Sequence, residues 1–256
     1  MSKNFELMQR TELLSAATVA VPEMAGLQGG QFAGVTSTAS KGHAKRSNAS
    51  SVATEESLRL VQTVFLAANA PRVVMFAGID TGNGCSHICA QAAEMLAINV
   101  PGSVCLVDGN LRRPSLPEFF GVSNHHGLTD SLRNRGAIRE FAKKLRRDNL
   151  WLLSSGSLAS DSSVLLNSEL LKTRIAELRK EFDYVLIDSP ALSRYSDGMV
   201  LGQLVDGLIL VLEANATRRE AALKVAENLR AAQIKILGAV LNKRTFPIPT
   251  PLYNLL

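Results

Sequence analysis

Gly78-Ile79-Asp80-Thr81-Gly82-Asn83-Gly84-Cys85-Ser86 is the stretch that decides the fold. It follows the apolar run Val73-Val74-Met75-Phe76 and leads into a segment of helical apolar spacing that reaches Ala97. A glycine-rich turn between strand and helix points successive backbone N–H groups at an anion, and the helix N-terminus adds partial positive charge. The stretch reads as a loop of the G-x-x-x-x-G-K-[ST] type. In such loops a lysine reaches the terminal phosphates and the final hydroxyl ligates Mg²⁺. Here Ser86 keeps the hydroxyl, and Cys85 stands where the lysine would be. Gly78, Thr81, Gly82, Asn83, Gly84, Cys85 and Ser86 are therefore the candidate cofactor-binding residues, with ATP or ADP and Mg²⁺ as the expected, weakened ligands.

Cys85 carries no cation. Loss of one charge-assisted hydrogen bond costs about 1.5–3 kcal/mol in binding, and loss of an electrostatic stabiliser of the transition state costs roughly 10²–10³ in rate. A thiol at a helix N-terminus also tends toward thiolate, which would repel phosphate. Arg112 and Arg113 are the sequence's candidates to replace the lysine in space.

Outward from the loop, apolar runs alternate with helical patterns. Val104–Asp108, Leu150–Leu153, Tyr184–Asp188, Gly207–Leu212 and Ile236–Leu241 read as strands. Glu55–Ala68, Glu169–Phe182 and Thr217–Ala232 read as helices, the last opened by Thr217-x-x-Glu220 in the manner of a capping box. Continuous apolar strands alternating with helices predict a doubly wound α/β fold, its mainly parallel sheet covered on both faces. Ligands in such sheets sit at the carboxyl ends of strands. Asp108 and Asp188 both fall there beside the loop. One would hold Mg²⁺ through water and the other would polarise an attacking hydroxyl, as phosphoryl transfer requires. Ser86, Asp108 and Asp188 are thus the candidate Mg²⁺ set, and Asp108 and Asp188 the candidate catalytic pair.

Residues 1–53 are rich in Gly, Ser, Thr and Ala, and the expectation is a disordered arm or linker. Residues 54–245 form the expected phosphate-loop domain and 246–256 a tail. Hydrophobic content of 46% is enough for a sizeable core. No run of 18 apolar residues occurs, so no transmembrane helix is expected. Leu13–Val21 is short, stops at Pro22 and lacks the basic start of a secretory signal. Three cysteines in 256 residues do not make a disulfide framework and suit a reducing cytoplasm. The net charge of +5 is mild, and its local excess lies in Arg133–Arg147, read as a solvated helix face. Cys85 and Cys89 share a helix face while His87 points elsewhere, so Cys85-x-His87-x-Cys89 is not read as a metal site.

Asp108-Gly109-Asn110-Leu111-Arg112-Arg113-Pro114 resembles the D-x-D-L-R-R-P motif of bacterial tyrosine kinases of the capsular and exopolysaccharide type. Phe119–Asn124 and Gly127–Asp130 continue in the same register. Phe182–Pro190 resembles that family's second acidic motif, and Val240-Leu241-Asn242 its late strand. Glu56-x-x-Arg59-x-x-Gln62 is similar to the E-x-x-R-x-x-R helix through which those kinases form rings. The resemblance spans residues 54–244. It implies a MinD/ParA-like phosphate-loop NTPase fold, with Asp108 near Mg²⁺ and the acceptor tyrosine, Asp188 at the metal and Asn242 near the nucleotide base. It also implies a membrane polysaccharide co-polymerase (chain-length-determinant) partner, homo-oligomers through the Glu56/Arg59 helix, and a cytoplasmic place at the inner membrane face; the mild net charge gives no reason to expect a nucleic-acid partner.

The departures from that pattern are Cys85 for lysine, Asn110 for the second acid, Gln62 for the last arginine of the helix, and a tail whose one tyrosine is Tyr253. Together they predict an impaired kinase, a pseudokinase that serves as a regulatory or scaffolding subunit. The alternatives are an active protein-tyrosine autokinase or ATPase that controls polysaccharide synthesis and export, and a ParA/MinD-like positioning ATPase that uses the basic 133–147 stretch on DNA or anionic lipid.

Overall fold

Val73–Gly78 buries all six of its residues, as an unbroken apolar run does when both faces of a strand are covered. It is β2 of a sheet seen in a computed structural model that describes residues 18–22, 43–157 and 169–244. Among the described residues the other strands are β1 (Thr18–Pro22), β3 (Val104–Asp108), β4 (Lys143–Lys144), β5 (Leu150–Leu153), β6 (Tyr184–Ser189), β7 (Gly207–Glu213) and β8 (Ile236–Arg244). Their order across the sheet is β1-β8-β7-β2-β6-β3-β5-β4. β4 runs antiparallel to β5, and every other neighbouring pair is parallel.

The period-2 pleat splits the core in two. Val74, Phe76, Leu106, Leu186 and Ile209 pack against α1 (His43–Phe65) and α2 (Cys85–Asn99), through Val61, Phe65, Ile88, Ala92 and Leu96. Val73, Met75, Val107, Val185 and Leu208 face the opposite layer. That layer is α5 (Glu169–Glu181), α6 (Asp197–Gly202) and α7 (Arg219–Ala231), which contribute Leu171, Leu178, Leu201 and Leu229. Short helices α3 (Leu116–Phe119) and α4 (Leu128–Arg133) follow β3. This is the doubly wound, mainly parallel fold that the alternation of runs predicts. β2 lies between β6 and β7, so its loop opens into the crevice where ligands bind in such sheets.

Several elements differ from the expectation. β1 lies inside the segment expected as an arm, and pairs with β8 through Thr18↔Ala239, Val19↔Val240 and Ala20↔Leu241. The outer edge of β8 offers unpaired backbone groups, and the β-branched Thr18, Val19 and Val21 suit a strand there. α1 begins at His43, ahead of the expected start at Glu55. Residues 1–17, 23–42 and 245–256, Tyr253 among them, lie outside the described residues. The basic 133–147 stretch is not one helix: it contains a 3₁₀ turn (Ile138–Phe141) and β4, whose exposed lysines suit the open edge of a sheet. The capping box of Thr217 and Glu220 does not form. The Thr217 hydroxyl accepts the Glu213 N–H at 2.9 Å, and α7 has no side-chain cap.

Candidate functional site

Counted back from Ser86, the first glycine position of the phosphate-loop pattern falls at Ile79. Gly78 instead ends β2, where a Cβ would collide with the Asn83 amide. Asn83 packs across it and donates to Val211 O at 2.8 Å. Gly82 and Gly84 have φ of 86° and 83°, the left-handed region that glycine occupies without strain. A Cβ on Gly84 would also collide with Asn242 Nδ2. Two residues of β8 hold the loop in this shape. Asn242 Nδ2 donates to Asn83 O at 2.9 Å, and Lys243 Nζ donates to Gly82 O at 2.8 Å while pairing with Glu213 at 3.2 Å. Asn242 thus braces the loop and does not line the cleft in front of it.

That cleft encloses about 610 Å³ and is lined by Gly78 and by Asp80 through Ser86, so the candidate loop residues converge on it. Cys85 does so with a side chain only 9% exposed. Burial pushes its thiol well above the usual thiol range, and the neighbouring Asp188 and Cys89 push it further. This corrects the expected thiolate: desolvation, reinforced by an adjacent carboxylate, outweighs the pull of the helix N-terminus.

Asp108 and Asp188 are register partners on β3 and β6, both with no exposed surface. Ser86, on the cleft floor, donates its hydroxyl proton to Asp188 Oδ2 at 2.5 Å. Asp188 Oδ1 is buried without a hydrogen-bond partner among the described residues. Burial pushes the Asp188 carboxyl up to about 6, against the hydrogen bonds of Ser86, Cys85 and Ser189. Asp108 is pushed up to about 7 by burial and then by the charge of Asp188. Opposing this, it accepts backbone N–H groups from Asn110 at 3.2 Å, Ser115 at 3.1 Å and Leu116 at 3.2 Å. Neither acid lines the cleft. Asp188 reaches it through Ser86, and Asp108 organises the turn that carries the next wall.

That wall supplies Asn110, Arg112, Arg113 and Phe119, and the adjoining turn after β6 supplies Arg194 and Tyr195. Arg112 is held in a bidentate pair with the buried Asp197, at 2.7 and 3.3 Å, and lies 4.5 Å over the Tyr195 ring. Its guanidinium is therefore committed elsewhere and does not take the lysine's place. His87 meets the Phe119 ring edge-on at 5.4 Å. The sequence reading missed Arg194 and Tyr195, whose only signal is their place in the turn that follows a strand-end acid. Outside the cleft lining, Glu56 and Arg59 pair along α1 at 3.8 Å, with Arg59 and Gln62 exposed. Among the described residues no helix is long and apolar enough to cross a membrane.

The parallel sheet with its phosphate loop at the β2–α2 junction defines a phosphate-loop NTPase fold of the MinD/ParA-like group. The described fold matches the septum site-determining protein MinD of Pyrococcus horikoshii, complexed with Mg-ADP, with a TM-score of 0.58, 22% identity and coverage of 71% of this chain and 75% of that one. It matches the chimerical protein CapA2B2 with a TM-score of 0.77, 20% identity and coverage of 93% and 99%. In sequence, the chain is 30% identical over 169 residues to the tyrosine-protein kinase YwqD of Bacillus subtilis, which covers 66% of this chain and 71% of that one. The chain belongs to the bacterial tyrosine kinase family. It is 27% identical over 170 residues to the tyrosine-protein kinase wzc of Salmonella typhi, and there it spans only 24% of the relative's length. No protein-family model matches the chain.

Proposed function

We propose that this kinase-family protein of capsular or exopolysaccharide synthesis binds a Mg²⁺-nucleotide in the cleft but is impaired in phosphotransfer. It serves as a regulatory or scaffolding subunit at the cytoplasmic face of the membrane. The observation that carries this reading is the side chain at the lysine position: an uncharged thiol, buried beside Asp188. The loop keeps its main-chain N–H groups for binding and contributes no ammonium toward a transferring phosphoryl group.

The residues present fit the ligand. The left-handed Gly82 and Gly84 form an anion cradle at the start of α2. The Ser86 hydroxyl and the unpartnered, buried Asp188 Oδ1 are hard oxygen donors of the kind Mg²⁺ takes. When bound, Mg²⁺ would neutralise phosphate charge. Ser86 and Asp188 would hold it, and Asp108 would keep the adjoining turn in place. The membrane partner is a co-polymerase of the chain-length-determinant type, and copies of the chain meet through the exposed Glu56/Arg59 helix. Nucleotide titration with and without Mg²⁺, followed by an assay of γ-phosphate transfer to the chain itself or to a partner, tests the reading. Binding without transfer supports it, and transfer at the rate of a lysine-bearing relative, abolished by Asp108→Ala, removes it.

A second reading, an active autokinase or ATPase, draws support from the arginines that line the cleft. It requires that substitution of Arg113 stop turnover while Cys85→Lys changes little.

A further inference from the structure

We propose that Arg113 and Arg194 form an arginine clamp on the terminal phosphate of a nucleoside triphosphate, so that the cleft prefers triphosphate to diphosphate. The inference rests on the reading of the cleft as a nucleotide site and adds what that site selects.

The two arginines reach the cleft from the adjoining turns that follow the neighbouring strands β3 and β6. Arg113 sits in the turn after β3, where its N–H is fixed by Asn110 through the main-chain oxygen and Oδ1, both at 3.2 Å. Arg194 sits in the turn after β6, where its N–H donates to Ala191 O at 3.3 Å. The ends of the two strands are themselves tied by Gly109 N–H to Asp188 O at 2.9 Å. Both backbones are thus anchored while both guanidinium groups are exposed. Neither guanidinium has an ion-pair or hydrogen-bond partner among the described residues.

The other charges of the cleft are accounted for. Arg112 is neutralised by Asp197. Asp80, the one carboxylate among the lining residues, accepts the Ser193 hydroxyl at 2.9 Å. Two arginines without an ion-pair partner among the described residues and one carboxylate therefore line the cleft beside the loop. A cleft with net positive charge favours anions, and a guanidinium fork matches phosphate oxygens bidentately. The loop N–H groups can serve the inner phosphates without help. The outermost phosphate is the one that the missing lysine would have met, and it is the one left for the walls.

The test is a calorimetric titration of the full chain with Mg-ATP and Mg-ADP, repeated for Arg113→Ala, Arg194→Ala and the double variant. Both side chains are exposed, so the variants keep the fold, which circular dichroism checks. The expected result is tighter binding of ATP than ADP by the unaltered chain. Each single variant then loses about tenfold in ATP affinity, the double variant loses the preference altogether, and ADP affinity changes by less than about threefold. If the unaltered chain binds ATP no better than ADP, or the double variant keeps the preference, the clamp is wrong while the nucleotide site stands. If the unaltered chain binds neither nucleotide, the reading of the cleft falls and the clamp falls with it.

Discussion

The thiol of Cys85 and the carboxylate of Asp188 are buried neighbours beneath the phosphate loop: the carboxylate disfavours ionisation of the thiol, while the thiol proton favours that of the carboxylate. In a lysine-bearing loop the side chain at this position leaves the helix start and reaches the phosphates. Here it turns into the layer between α2 and the sheet, where Cys89 is also buried. The loop therefore closes as an apolar plug topped by main-chain N–H groups.

One consequence concerns reactivity. Cys85, Cys89 and Cys105 are all buried, and burial raises all three thiols, Cys105 to about 12. Only the thiolate reacts with alkylating agents. The native chain at pH 8 should resist iodoacetamide at all three positions and label fully in denaturant, as read by mass spectrometry of the digested protein. Rapid native labelling of Cys85 would show that its side chain visits the cleft.

A second prediction concerns the brace from β8. Asn242 Nδ2 donates to Asn83 O, and Asn83 in turn donates to Val211 O. Asn242→Ala leaves the buried Asn83 carbonyl without that donor, at a cost of about 1–3 kcal/mol. Amide hydrogen exchange should rise from Gly82 to Ser86 and stay unchanged in β3 and β5. If the whole chain destabilises uniformly and the loop shows no selective gain in exchange, Asn242 is a general core residue and not a loop brace.

Legibility in the sequence followed burial. Val104–Asp108 and Leu150–Leu153 coincide with their strands because runs buried on both faces leave no other assignment. Asp108 and Asp188 were legible as strand-end acids, and the sheet makes them register partners. Elements whose character comes from a distant partner were not legible. β1 is an edge strand made by β8, more than 200 residues later. Asn242 could be placed at a strand end, but what its amide touches depends on the loop across the crevice. The direction of the Cys85 side chain depends on the layer that receives it, and helix position alone pointed to the wrong charge state. Arg194 and Tyr195 gave no pattern because a turn places them by its path and not by periodicity.

The pH dependence of stability should have an acid limb set in part by Asp206. Its carboxylate accepts the N–H groups of Arg72 and Val73, each at 2.9 Å, and pairs with Arg179 at 2.8 Å, tying the start of β2 to the approach to β7. Burial pushes the carboxyl up, but the hydrogen bonds and the Arg179 charge outweigh it, and the net shift is downward from 3.8. Because the folded state holds this proton less tightly than the unfolded one, the contribution is complete above the unfolded value and disappears as pH falls through the depressed folded value. Asp183, lowered by the Ser103 backbone and hydroxyl groups, acts in the same direction. The melting temperature should fall below about pH 4, and Asp206→Asn should flatten part of that limb while lowering the melting temperature at pH 7. An identical acid slope in the variant would remove Asp206 from the account.

Restoring the missing cation is the sharpest test of the proposed impairment. In the Cys85→Lys variant the new ammonium cannot occupy the buried thiol pocket without a large desolvation cost. The alternative is the cleft, which the residue lines. The introduced lysine side chain should therefore emerge toward the phosphates, leaving a small void beside Cys89 that costs about 1 kcal/mol of stability. Against that loss, one charge-assisted hydrogen bond contributes about 1.5–3 kcal/mol to binding, so ATP affinity should rise by roughly 10- to 100-fold. If the rest of the machinery is intact, phosphotransfer should rise from near zero by about 10²–10³. Affinity that rises without any transfer would place a second defect at Asn110, where the related motif carries an acid. An unaltered chain that already transfers phosphate, with a Cys85→Lys variant that folds and changes neither affinity nor turnover, would mean that the arginines of the walls supply the catalytic charge. The impaired-kinase reading would then give way to the active one.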